Sequence, residues 1–545
     1  MRKQMFVSVL FFCFTLALFL WPLVALSTTH TTSVNDGILI TWLTHQSADS
    51  SIGKGDWYNW PFFYPYTQTA TYSDPFLTSA VLLLGIRLFT ENVVLQYNLL
   101  LILAAIGNFW GMFLLAHKLW GKYLVSCVAA TVFAFSYTQY QFIPHLHNYL
   151  LFGLPLGLWA IISYLETKKK YFAAIWGVAF LLQGLNAPMT GYFFLTSSIV
   201  YVVFSKTYKK LRYDTYSWGV FLVACSILIY YYLPYVVTAQ EFQIVRTIRD
   251  TAHFSYPIEK LLSLEILFAI TVFALSWSKV PDRKNDTEVL APKVIAAIIM
   301  VGGVCMLGPV IKVGVETVKI FEQAIPLPYA VFYYLVPGLQ AFRSVSRWAV
   351  VLNLGLALAL GWSINQLFTR SKKVLALTIV ALYVGGTFIL TMRQQYLYPI
   401  PLDIPEIYTW VRESKQNIVA EFPLYQWSMG ALAGQENQRL RYQLYHKKIL
   451  YNGVSGITPP AREGEILLHA QHFPEEESLR LLRTAGVELL VVHYAEFAEL
   501  TQANYPTTVA LQKTAATIKQ QLVSNQSITL LGCTEEPDSC LYQLK

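Results

Sequence analysis

Charge is scarce in this chain: of its 545 residues only 13% are Asp, Glu, Lys or Arg, roughly half the share in an average soluble domain. Apolar and aromatic residues take its place, 55% of the chain being hydrophobic, with 33 Phe, 35 Tyr and 14 Trp. Surface of that kind needs lipid as its solvent rather than a larger core. Cysteine is sparse as well, six in all, which excludes a disulfide-dense secreted scaffold. The sequence also lacks the spacings of a zinc site, a phosphate-binding loop, a GxSxG elbow or a dinucleotide fingerprint. Those gaps argue against an ATPase, a hydrolase or an oxidoreductase. Internal repeats and low-complexity segments are absent too.

Long apolar runs are what the chain has instead. A spanning helix needs about 20 mostly apolar residues, and eleven stretches qualify, near 5–27, 94–116, 123–140, 149–165, 171–187, 189–205, 216–237, 261–278, 294–311, 347–367 and 374–391. The apolar core of the first exceeds the 7–15 residues of a signal peptide, so it reads as an uncleaved anchor. Arg2 and Lys3; Lys118 and Lys122; Lys168, Lys169 and Lys170; Lys206, Lys209, Lys210 and Arg212; Lys279, Arg283, Lys284 and Lys293; and Arg370, Lys372 and Lys373 fall in alternate loops. The positive-inside rule makes that face cytoplasmic, with the N-terminus inside and everything after about residue 391 outside. Eighteen basic residues face five acidic ones there, while the rest of the chain is mildly acidic. The net charge of +8 therefore reports topology and not nucleic-acid binding. The apolar run 76–89 is too short to span and holds Arg87, which suits an interfacial or re-entrant helix.

The expected fold is an all-α polytopic membrane domain over 1–391, with a large aromatic first outer loop at 28–93, followed by an extracytoplasmic α/β domain over 392–545. In the latter, 417–425, 449–454 and 487–493 read as strands and 476–484 as an amphipathic helix ended by Gly486, while 527–531 can pair with 540–544. Cys13, Cys127, Cys225 and Cys305 lie in apolar runs and read as packing residues. Cys533 and Cys540 flank a turn on the oxidising side and suit a hairpin disulfide.

The first outer loop holds Asp36, Asp49, Asp56 and Asp74. A carboxylate at the membrane surface beside aromatic rings suits general-base work, because partial desolvation raises its proton affinity, and two such groups suit a divalent cation. Both Asp36 and Asp74 also stand where a helix would begin, Asp74 as an N-cap before Pro75. Other outer loops carry His145 and His147, then Arg246, Arg249 and His253, then Arg343 and Arg347. The last two are four apart at the entry to a span, so on a helix they share one face, suited to a lipid phosphate or pyrophosphate. His145 and His147 would face apart on a helix and together on a strand. Glu265 lies about one turn inside a span, where an acid faces protein or water. Two other classes fit the same composition: a lipid or polysaccharide transporter or flippase, and a non-catalytic cell-envelope assembly protein.

Several segments together carry a resemblance: Asn35-Asp36 with Trp42 after it, FYPYTQTATYSD at 63–74, FAFSYTQYQFIPHLHNY at 133–149, PGLQAFRSVSRW at 337–348, AEFP at 420–423 and YHKKILYNGVSG at 445–456. In their order and topology they resemble the GT-C-type polytopic membrane glycosyltransferases of bacteria, in the branch with a C-terminal extracytoplasmic domain. The resemblance implies a multi-pass protein of the cytoplasmic (inner) membrane that moves a sugar from a polyprenyl-phosphate donor to a cell-envelope glycan, lipid or protein acceptor on the outer face. It implies an acidic base in the first outer loop, matched best by Asp36 and next by Asp74. In some members that acid helps bind a divalent cation, Mg or Mn, for which Asp36 and Asp74 would be the ligands. Arg343 and Arg347 would then hold the donor phosphate, and Tyr64, Tyr66, Tyr72, His145 and His147 would line the substrate cleft. The sequence lacks the adjacent pair of acids that many members show after their first span.

Overall fold

The computed structural model describes residues 2–278, 291–393, 397–401, 403–425, 434–502, 513–535 and 538–545. Lys279, Arg283 and Lys284 of the basic loops lie outside them. The chain forms two compact units. One comprises Met1–Ser27, Leu95–Leu233 and Ile244–Tyr396; the other comprises Thr28–Val94, Pro234–Gln243 and Leu397–Lys545. The single boundary expected near 391 is thus replaced: residues 28–94 belong to the same unit as the C-terminal segment, because their aromatic side chains form part of its core.

The first unit is helical. A helix stands at each of the eleven expected positions, but among the described residues six are long and apolar enough to cross a bilayer: Met5–Ala25, Val93–Trp120, Leu146–Thr167, Thr215–Glu241, Val345–Thr369 and Lys373–Met392. Helices such as Tyr123–Phe135, Lys170–Asn186, Pro188–Phe204, Leu264–Trp277 and Pro292–Met306 would be roughly 20–26 Å long at 1.5 Å per residue, short of the ~30 Å hydrocarbon core. Thr215–Glu241 has only 6% of its apolar window buried within the protein, so its surface needs an apolar solvent. The multi-pass membrane character follows from that exposure. At the other extreme Ala349–Thr369 is sheathed from Ala349 to Ile364. Gly355 lets it approach Ile299 closely, since a Cβ there would stand 3.0 Å from the Ile299 backbone nitrogen. Small residues serve helix contacts in this way where water supplies no driving force.

Broken helices inside this unit expose backbone groups that lipid cannot satisfy, and buried polar side chains meet them. Between Tyr123–Phe135 and the short helix Tyr137–Tyr140 the chain turns at Ser136. The buried Asn353 accepts from Ser136 Oγ at 2.8 Å and donates to the Phe133 carbonyl at 3.0 Å. Glu265 receives the Tyr137 and Thr138 backbone N–H groups at 3.0 and 3.1 Å and the Tyr383 hydroxyl at 2.7 Å. It therefore caps a helix from another part of the chain. The irregular stretch around His145 and His147 is held likewise: Asn108 donates to the Tyr149 carbonyl and accepts from Leu151 N–H, and Gln183 donates to the Leu150 carbonyl. Tyr383→Phe removes one hydrogen bond to the buried Glu265 carboxyl, worth about 0.5–1.5 kcal/mol. A lowered unfolding midpoint of the detergent-solubilised protein is the expected result, and an unchanged midpoint would rule out the stapling role of Glu265.

The second unit is built on a five-stranded mixed sheet: β1 (Ile418–Phe422), β2 (Ile449–Leu450), β3 (Leu489–His493), β4 (Ile528–Thr534) and β5 (Ser539–Leu544), in the order β4-β5-β3-β1-β2. β1 runs parallel to β2 and β3, with Val419 opposite Leu489, whereas β5 is antiparallel to both β3 and β4. β3 (LLVVH) is buried throughout, as a strand covered on both faces must be. Edge strand β4 is largely exposed and carries a register shift between Leu530 and Gly532. Cys533 and Cys540 are disulfide-bonded across the β4–β5 pair. Helix Glu476–Thr484 buries Leu479 and Leu482 against the sheet core and is followed by Gly486 at φ 81°, which turns the chain into β3.

The first loop threads into this unit. Phe63 N–H bonds to the Asn452 carbonyl, Leu450 N–H to the Pro61 carbonyl, and the Trp42 indole N–H to Gln443. Residues 76–89 contain the ten-residue helix Leu77–Ile86.

Candidate functional site

Within the second unit, Asp36 is the first residue of helix Asp36–Ser51, with Asn35 at the N-cap. Its carboxylate thus stands in the turn where unpaired backbone N–H groups favour negative charge. Gly37 keeps this turn close to residue 31, since a Cβ there would come within 2.8 Å of Thr31 Oγ1. Asp74 does not cap the next helix. Phe76, at φ 52°, occupies the N-cap of Leu77–Ile86, because Pro75 and Phe76 extend the chain two residues beyond the aspartate before helical geometry begins. Asp36 and Asp74 are both half-buried.

The other two loop acids have evident structural duties. Asp49 pairs with Arg87 at 2.6 Å, joining helix Asp36–Ser51 to the end of Leu77–Ile86 and accounting for a cation in that apolar run. Asp56 accepts from the Tyr58 and Asn59 backbone N–H groups, both at 2.7 Å. The Tyr58 bond above all holds its carboxyl below the ordinary range.

The three loop tyrosines differ in what they offer. Tyr72 is fully buried, its ring against Phe62, Phe63 and Phe242 and its hydroxyl donating to the Thr67 carbonyl. It is a packing residue of the core and not part of an open cleft wall. Tyr66 is half-buried and donates to Glu465 at 2.9 Å; burial, then Glu465, pushes its phenol up to about 12. Tyr64 presents its carbonyl to Arg462 at 2.7 Å. Arg462 also pairs with Glu465 at 2.9 Å and lies over the Tyr451 ring at 4.0 Å.

A second buried network surrounds β1. Glu421, with no exposed surface, accepts from His493 at 3.0 Å and from the Tyr408 hydroxyl at 2.8 Å. Arg439 bonds Glu436 at 2.6 Å and Glu496 at 2.8 Å and lies 3.7 Å from Glu421. Burial pushes the Glu421 carboxyl up, but His493, Arg439 and His446 outweigh it and leave it below the ordinary range. Burial raises Glu436 and drives His446 down to about 4 and His469 to about 3. Both histidines are neutral in the folded unit and regain a pKa near 6.5 on unfolding, so the unfolded state binds more protons below that value. Their stabilisation is complete above about pH 6.5 and is lost as pH falls toward 4, by up to about 1.4 kcal/mol per histidine per pH unit. Glu421 acts in the same direction at lower pH, and Glu436 in the opposite one. Melting of this unit at pH 5 is expected below its value at pH 7; an equal or higher midpoint would contradict the assignment.

Within the first unit the basic side chains gather on short, firmly anchored elements. Arg343 follows the 3-10 turn Leu339–Ala341, entered through Gly338 at φ 83°, a conformation that only glycine adopts without strain. Its guanidinium lies over the Phe254 ring at 5.2 Å. Arg347 sits in a second 3-10 turn, Val345–Trp348, whose buried Val345 and Trp348 fix it in place. The two arginines therefore do not share one α-helical face as their spacing predicted, since Arg343 lies outside the turn that holds Arg347. Arg347 acts electrostatically on His147, as does His145, and the two imidazoles are perpendicular at 6.0 Å. His145 caps the short helix Leu146–Tyr149 that contains His147, so they meet across a turn and not along a strand. Asp250, in a capping box with Thr247, feels the charges of Arg246 and Arg343, although the Thr247 backbone bond is the main reason its carboxyl is held low. The guanidiniums of Arg343 and Arg347 are groups of the kind that bind phosphate oxygens.

Among the described residues no three His, Cys, Asp or Glu side chains are gathered as a metal-binding set.

The fold is similar to that of solved GT-C-type polytopic membrane glycosyltransferases. The chain is similar to the archaeal oligosaccharyltransferase AglB from Archaeoglobus fulgidus, solved with an inhibitory peptide and a dolichol-phosphate, at TM-score 0.52 and 11% identity over 90% of this chain and 69% of that one. The apo form of the Archaeoglobus fulgidus oligosaccharyltransferase gives 0.53 and 12% over 91% and 70%. A mycobacterial arabinofuranosyltransferase, AftD, gives 0.52 and 13% over 100% of this chain and 41% of that one. No family model and no curated protein matches the sequence.

Glu265 and the Arg439 and Arg462 networks went unassigned from sequence. One signal was available for the second: a Glu inside IVAEF, an otherwise apolar strand, must be paired if it is to be buried.

Proposed function

We propose that this protein is a membrane glycosyltransferase that moves a sugar from a polyprenyl-phosphate donor to a cell-envelope acceptor on the extracytoplasmic face. The observation that carries the reading is a GT-C fold over about nine-tenths of the chain. It is supported by the guanidiniums of Arg343 and Arg347, four residues apart just before helix Ala349–Thr369 in the helical unit. That AglB was solved with a dolichol-phosphate is in keeping with a lipid-phosphate donor. The proposed orientation is an N-terminus in the cytoplasm, a multi-pass domain in a bacterial inner membrane and a C-terminal α/β domain outside.

In the proposed reaction Asp36 accepts the proton of the acceptor hydroxyl as that oxygen bonds to the anomeric carbon. The bond from that carbon to the lipid phosphate breaks, and its electron pair leaves on the phosphate oxygen. Arg343 and Arg347 of the helical unit are assigned to the donor's lipid phosphate. Asp74 is the second acid, available to orient the acceptor, and Tyr64 and Tyr66 border the sugar. No step is routed through a metal.

Lipid-linked sugar profiling of a deletion strain tests the reading. A polyprenyl-linked sugar is expected to accumulate, naming both reaction and substrate. Unchanged lipid-linked pools, with a lipid or polysaccharide held on the wrong side of the membrane, would replace the transferase with a transporter.

A further inference from the structure

A cavity of about 420 Å³ opens between helices Gly153–Thr167, Lys170–Asn186, Pro188–Phe204 and the start of Thr215–Glu241. Its wall is apolar and aromatic, with Ile161, Trp176, Leu195, Ile199, Trp218 and Phe221. The few polar groups on it are at one end or already engaged: the Trp176 indole donates to Ser198 at 3.2 Å. Arg212 closes the polar end, its exposed guanidinium 4.4 Å over the Tyr213 ring.

The loops at that end are strongly basic. Lys168, Lys169 and Lys170 join two of the helices, and Lys206, Lys209, Lys210 and Arg212 lie in the connection between two others; all seven are exposed. Two acids are nearby, and both are occupied. Asp214 takes Lys168 at 3.0 Å and the Tyr164 hydroxyl at 2.8 Å, while Glu166 pairs with Lys118 at 2.5 Å. An apolar slot therefore ends in a cationic rim whose local acids are already neutralised.

The geometry points to a binding site for one anionic glycerophospholipid, an acyl chain lying in the slot and the phosphate on Arg212, Lys209 and Lys210. Basic pockets at the ends of membrane helices recognise such headgroups, and a volume of this size suits one chain-like apolar ligand. A zwitterionic lipid would fill the slot equally well but would set its own cation against the rim. The site is independent of the proposed transferase reaction, since none of its residues has a role there.

Native mass spectrometry of the purified full-length chain, titrated with dioleoylphosphatidylglycerol or dioleoylphosphatidylcholine, tests it. One phosphatidylglycerol should bind at least tenfold more tightly than phosphatidylcholine. The triple variant Lys209→Gln, Lys210→Gln, Arg212→Gln should lose that preference while keeping its melting point in phosphatidylcholine. Leu195→Trp, which narrows the slot, should weaken both lipids. Equal affinity of the wild type for the two lipids would overturn the site, as would full preference in the triple variant. Competition by millimolar glycerol 1-phosphate as effective as that of the lipid would show the slot to be irrelevant and would overturn it too.

Discussion

Asp36→Asn is expected to lower sugar transfer by about 10²–10⁴-fold, the usual contribution of a general base, while membrane insertion and melting stay near wild type. The change is nearly isosteric. It costs the first turn of helix Asp36–Ser51 its carboxylate, and the lost dipole interaction is worth only about 0.3–1 kcal/mol. A large fall in turnover with little change in stability therefore separates catalysis from helix capping. The measurement is transfer from the native donor in membranes, with Asp74→Asn alongside. Wild-type turnover in the Asp36 variant would remove it as the base; loss in the Asp74 variant alone would move the role to that residue.

The second large effect is structural. Arg439→Ala should destabilise the sheet-containing unit by about 3–5 kcal/mol, because deleting one partner strands buried charge. Glu421 and Glu436 are almost wholly inaccessible and Glu496 is partly so, and all three share that one guanidinium. Hydrogen exchange of β1 and β3 should accelerate by about 10²–10⁴-fold, the same free energy read as an opening constant. Arg439→Met combined with Glu436→Gln should recover part of the loss by removing a stranded carboxylate. Protection of β1 unchanged in the single variant would show that the network carries no stability.

Pattern and composition made some of this molecule legible. The apolar runs located the helices, since a lipid-facing or bundle-facing helix must be apolar over most of its length, and Asp36 was placed at a helix start by its local context. The β4–β5 pairing and its cysteines were readable because a hairpin is local. Span length was less legible: Ser136 looks innocuous within an apolar run, yet its turn divides one expected span into two helices. The shared helical face for Arg343 and Arg347 failed for a related reason, as Gly338 and two 3-10 turns replaced the α-helix that their spacing assumed.

By itself, the sequence determined that this is a multi-pass membrane protein with a basic loop pattern, an acid-bearing aromatic loop and a strand-forming C-terminal segment, because each of these follows from neighbours within about one helix or strand. Tertiary structure decided which distant residues share one environment. Tyr66 meets Glu465 across 399 residues, and Glu265 caps a helix that starts 128 residues earlier. A buried carboxylate must find a donor wherever the fold supplies one, and a local pattern registers the need without naming the partner. The same physics joined residues 28–94 to the C-terminal unit: Trp42, Phe62 and Tyr72 are buried in it, and only a packed core could show that a loop read as a separate outer feature belongs to that unit's interior.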